Sequence, residues 1–108
     1  MTEVLTRLFL AGFVRLHILH HAAADPICGV EIALELARHG YRLSPGTIYP
    51  ALHELAQAGF LTMKNRVVQG KRRKYYRATG RGRKALATTR KLLRELADEV
   101  LHEGGERP

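Results

Sequence analysis

Apolar residues return every three or four positions over residues 3–21. Leu5, Leu8, Gly12, Leu16 and Leu19 form one row, and Phe9 and Phe13 widen it. That spacing predicts an amphipathic helix. Its stripe is wide for a short chain and implies more than one packing partner. Asp25-Pro26 should end it, because proline brings no amide hydrogen to a helix interior and clashes with the preceding turn. A second helix is expected over 28–39, with Val30, Ile32, Ala33, Leu36 and Ala37 inward and Gly40 as the stop. Leu43-Ser44-Pro45-Gly46-Thr47 reads as a helix start. Ser44 suits the cap, and Pro45 gives up an amide that would be unpaired anyway. The third helix, 44–58, should bury Ile48, Leu52 and Leu55 and end at Gly59.

The period then changes. Residues 60–68 and 73–78 read as two strands joined through Gln69-Gly70-Lys71, and Thr79 caps a final helix over 80–102. In that helix Leu86, Leu93 and Val100 are seven apart, and Thr89 and Leu96 repeat the offset. This heptad seam suits pairing with another helix. The tail 104–108 should fray. The chain is therefore expected to be mostly α with a small β-hairpin, in the order helix, helix, helix, strand, strand, helix.

Composition narrows the function. A chain of 108 residues, 45% hydrophobic and 26% charged, is sized for one globular domain. The single cysteine, Cys28, excludes an internal disulfide and a Cys-based zinc finger. No run approaches the roughly 18 apolar residues of a membrane span, and the N-terminal stretch does not read as a signal peptide. No membrane association and a cytoplasmic location are expected. The net charge is +8, and its placement matters more than its size. Thirteen of the 18 Lys and Arg lie between Glu54 and Glu95, a stretch without one acidic residue. A merely solvated face usually mixes both signs. A one-signed field is what a polyanion reader needs, since phosphate neutralisation supplies most of nucleic-acid affinity.

Two short helices followed by a basic hairpin make a winged helix-turn-helix. Helix 44–58 would enter the major groove, offering Ser44, Thr47 and Tyr49 near its start and His53 and Gln57 further along. The hairpin tip, Lys71, Arg72, Arg73 and Lys74, would lie along the neighbouring backbone or in a minor groove. Tyr75 and Tyr76 alternate across a strand, which would turn one inward and leave Tyr76 as a DNA-side candidate. Residues 1–79 would form the DNA-binding unit and 80–108 the dimerisation helix with its tail. Leu8, Leu86, Leu93, Leu96 and Val100 are the candidate dimer contacts.

The string Ser44-Pro45-Gly46-Thr47-Ile48-Tyr49-Pro50-Ala51-Leu52-His53, with Leu55, Gly59, Leu61 and Lys74-Tyr75-Tyr76-Arg77-Ala78-Thr79, resembles the PadR family of bacterial transcriptional regulators. Gly29-Val30-Glu31-Ile32 fits the same pattern, and the resemblance covers about residues 14–100. It implies a winged-helix domain that dimerises through its terminal helices and represses transcription at palindromic operators. It also implies DNA contacts at Ser44, Thr47 and Tyr49 and at Lys71 to Lys74. The single final helix resembles the short subfamily. Without any Trp, the aromatic drug-binding pore of multidrug-sensing members is not supported.

Other chemistry is sparse. His17, His20 and His21 share one helix face and are candidate ligands for a divalent metal effector such as zinc, or ordinary surface histidines. Cys28 near a helix start is a candidate redox thiol or a small packing residue. No cofactor is required, and no carboxylate pair, Ser/His/Asp set or phosphate-cradling loop points to an enzyme. The expected partners are a double-stranded DNA operator and a second copy of the chain, with a small-molecule or metal inducer acting between the terminal helices. A winged-helix protein-interaction module is the competing reading, and single-stranded RNA a weaker one.

Overall fold

Each element begins or ends on a local signal. The structure, a computed structural model, describes residues 3–102. The first helix, α1 (Val4–Ala24), starts at Glu3, whose carboxylate accepts from the Leu5 and Thr6 amides, and it ends at Asp25. A two-residue strand, β1 (Ile27–Cys28), leads into α2 (Gly29–Arg38), and α3 (Pro45–Gln57) follows. Ser44 occupies the N-cap of α3, but its side chain makes no capping hydrogen bond. At the end of α3, Gly59 takes a φ of 85° while Phe60 N–H returns to Leu55 O (2.9 Å), the paired closure that a left-handed residue permits. The expected frayed tail, 104–108, lies outside the described residues.

The strands β2 (Leu61–Val68) and β3 (Lys71–Ala78) form the wing. Gln69 and Gly70 both have positive φ, 52° and 78°, as a two-residue hairpin requires. β1 was not expected from the sequence. It pairs antiparallel with β3, Ile27 opposite Tyr76 and Cys28 opposite Tyr75, giving a sheet ordered β1-β3-β2. Tyr75 and Tyr76 are consequently both buried, instead of one only. Tyr76 joins the core, while Tyr75 is covered by Arg66, whose guanidinium lies 4.4 Å from its ring centroid.

The last helix, α4 (Gly80–Leu101), is fastened to the base of the wing. Thr79 caps it as expected: its hydroxyl accepts from Gly82 N–H (3.0 Å) and donates to Gly59 O (2.7 Å). The core gathers Val14, Ile18, Leu19 and Ala22 of α1, Ile32 and Leu36 of α2, Ile48, Ala51, Leu52 and Leu55 of α3, then Leu61, Tyr76, Ala78 and Leu86.

Three expectations change here. The inward row of α1 is Val14, Ile18 and Ala22 with Leu19; Leu5 and Leu8 of the expected row are exposed. The buried residues of α1 begin at Val14, and the row that packs is the one facing α3 and β3. Val30 and Ala37 of α2 are exposed as well, because Ile32 and Leu36 set its inward face. Leu86, expected at a dimer seam, is 3% exposed and fills this chain's own core.

Candidate nucleic-acid interface

Because α3 turns Ile48, Ala51, Leu52 and Leu55 inward, its opposite side is open. Gly46, Pro50, His53 and Gln57 form that exposed ridge, spaced at four, three and four residues. His53 Nε2 and Gln57 Nε2 lie 3.4 Å apart on it. Thr47 borders the ridge toward α1, beside Arg7 and Pro50, and Tyr49 borders it toward α2 and the wing. Ser44 is exposed at the helix start. Glu54 is ion-paired with Arg15 of α1, which neutralises the one acidic group on α3.

The wing holds its cations against a cost. Arg66 sits directly opposite Arg73 across β2 and β3, and like charges at such a position destabilise a sheet. Lys71, Arg72 and Lys74 are exposed, and no wing Lys or Arg is ion-paired with a described residue. Local stability does not explain this arrangement.

Between α2, α3 and the wing lies a cleft of about 420 Å3, lined by Cys28, Gly29, Val30, Tyr49, His53, Arg72, Arg73, Lys74 and Tyr76. It brings together candidates from both halves of the interface. Tyr76 does so from the core, at 7% exposure, and not from a free surface. Gly29, Val30 and Cys28 were not singled out for this role. The proximity of α2's start to the wing depends on β1 pairing with β3, and a two-residue strand leaves no periodic signal.

The histidines divide. His20 is exposed, and its Nδ1 accepts from Arg90 of α4 (3.0 Å). His17 and His21 turn toward α2, where Glu35 lies 3.8 Å from His21 Nε2 and 3.5 Å from His39 Nε2. The ring centroids of His17 and His39 are 5.3 Å apart, and among the described residues the buried His17 Nδ1 has no hydrogen-bond partner. Among the described residues no group of three His, Cys, Asp or Glu is placed to hold a metal ion. Cys28 is buried at the start of α2.

Burial, more than any other cause, holds His17 and His21 below the ordinary 6.5. His17 is lowered further by His21, His39 and His20, while Glu35 opposes the shift at both. A histidine that binds its proton more readily when unfolded contributes full stability above 6.5 and loses it as pH falls below that value. The thermal midpoint should therefore be lower at pH 5.5 than at 7.5, by circular dichroism, and His17→Gln should narrow the gap. An unchanged gap would contradict the assignment.

An exposed recognition helix beside a cationic two-stranded wing defines a winged helix-turn-helix DNA-binding protein. The chain belongs to the Transcriptional regulator PadR-like family, whose model matches residues 18–88. It is 54% identical over 100 residues to the Transcriptional regulator Rv3488 of Mycobacterium tuberculosis, covering 93% of this chain and 92% of that one. The crystal structure of a PadR family transcriptional regulator from Eggerthella lenta is 27% identical, with a TM-score of 0.79, covering 94% of this chain and 91% of that one. A PadR-like transcriptional regulator from Bacillus cereus, 24% identical, shares the fold at a TM-score of 0.82, with 93% and 99% covered. Among the described residues no helix is long and apolar enough to cross a membrane.

Proposed function

We propose that this transcriptional regulator is a dimeric repressor of a pseudo-palindromic operator. Each subunit sets α3 into one of two successive major grooves and lays its wing along the adjoining backbone. The observation that carries this reading is the shared cleft, where Tyr49 and His53 of α3 meet Arg72, Arg73 and Lys74 of the wing. Dimerisation is supported by apolar surface that the described chain leaves uncovered. Leu5, Leu8 and Phe9 of α1 and Leu93, Leu96 and Val100 of α4 are all at least 46% exposed. Large apolar side chains exposed in this number on the two terminal helices are what an association surface provides. An effector would act on the same helices, and a hollow of about 190 Å3 between Leu16, His17, His20, Leu86, Arg90 and Leu93 supports that placement.

The test is a gel-shift titration with the DNA upstream of this chain's own gene, under excess nonspecific competitor. A competitor-resistant shift with a two-fold symmetric footprint is expected. A species of 12.1 kDa at micromolar concentration, by sedimentation, would overturn the dimer. A shift abolished by competitor would overturn the operator.

A further inference from the structure

The pairing of β1 with β3 ends at Cys28 and Tyr75. Toward the wing tip, Lys74, Arg73 and Arg72 therefore have no strand beside them on that edge. α2 begins at the same point, and Gly29 and Val30 face the open edge across the cleft. Among the described residues no carboxylate lines this cleft. Glu31, the acidic residue in the first turn of α2, accepts from the Cys28 amide (3.1 Å) and lines a separate hollow with Asp25 and Glu35.

Two details go beyond surface charge. Among the described residues Arg73 Nε has no hydrogen-bond partner, and an unpartnered buried donor is costly. Tyr76, packed in the core, still lines the cleft. Burial first, and then the neighbouring Tyr49, push its phenol above the ordinary value, so it keeps its proton as a donor at neutral pH. Tyr49 itself is pressed against Gly29. A Cβ at residue 29 would stand 2.6 to 2.8 Å from Cε1, Cζ and the hydroxyl of that ring.

We propose that this cleft is the seat of one backbone phosphate of the bound DNA, held by Arg73, Lys74 and the phenols of Tyr49 and Tyr76. The proposal rests on the DNA-binding reading above and sharpens it. Recognition helix and wing grip the same phosphate, so the register of α3 against the bases is set at that point. Gly29 is a positioning residue that lets Tyr49 lie at the cleft wall.

The test takes the shifted duplex and replaces its phosphates one at a time with neutral methylphosphonate, against wild type and Tyr76→Phe. At one position in each half-site the replacement should weaken wild type on the order of tenfold and weaken Tyr76→Phe by clearly less, while every other position acts independently. Arg73→Gln, which leaves the core untouched, repeats the measurement should Tyr76→Phe lose stability. Independent effects at every position would overturn the seat and leave the wing a diffuse field. Displacement of the duplex by sub-millimolar inorganic phosphate at constant ionic strength would also overturn it, reassigning the cleft to a free phosphate compound. Wild type that shifts no duplex at any salt would overturn the DNA-binding reading itself, a separate result.

Discussion

Gly82→Ala should cost about 3 kcal/mol of folding stability, close to the upper end for one methyl group. A Cβ at residue 82 would lie 2.1 Å from the carbonyl oxygen of Phe60 and 3.0 Å from its carbon. Neither atom belongs to a side chain that can swing away. The same carbonyl accepts the Thr79 amide (3.0 Å), so displacing it also disturbs the cap of α4. The change would push α4 off the base of the wing, where Leu86 enters the core one turn later. Gly80→Ala is the control: nothing lies within 4 Å of its Cβ, and alanine favours the helix. Urea denaturation should give a much lower midpoint for Gly82→Ala and an unchanged or higher one for Gly80→Ala. Equal midpoints would refute the close approach.

Removing Arg72 and Arg73 together should have the largest effect on DNA. Each cation that meets a phosphate releases a counterion, so their replacement by Ala should lower the salt slope by about two per half-site. It should weaken binding roughly ten- to a hundredfold, uniformly across sequences. Both residues line the cleft, and neither is ion-paired with a described residue. Stability should hold, because Arg73 leaves a like-charged partner, Arg66, directly opposite. Changing Thr47 or His53 should instead alter which operator is preferred, with little change in slope. Fluorescence anisotropy at two salt concentrations separates the cases. An unchanged slope in Arg72→Ala/Arg73→Ala would contradict the wing assignment.

Much of the scaffold was legible because it is written in neighbours a few residues apart. Asp25-Pro26, Gly59 and Thr79 act within one helical turn, and each bounds its element where expected. The wing was legible for the same reason, its turn being two residues of permissive backbone. Less was legible where two answers fit one pattern. On α1, Leu5, Leu8, Leu16 and Leu19 form one acceptable row and Val14, Ile18 and Ala22 another, and periodicity cannot rank them. Strand alternation allowed one buried tyrosine of two; β1 and Arg66 cover the second. The histidine face of α1 was visible, but Glu35 and His39 reach it only through packing of α2.

The sequence by itself determined the four helices, the two wing strands, their order and the acid-free wing, since these follow from short-range backbone preferences and from charge, which needs no partner to be counted, and the Ser44–His53 string carried the family resemblance. Only the tertiary structure decided which helix faces are buried, that Leu86 belongs to the core, and that Tyr49, Tyr76 and the wing arginines share one cleft. The last of these depends on a two-residue strand finding a partner far along the chain. Contacts between distant segments are set by packing, and no local pattern records them.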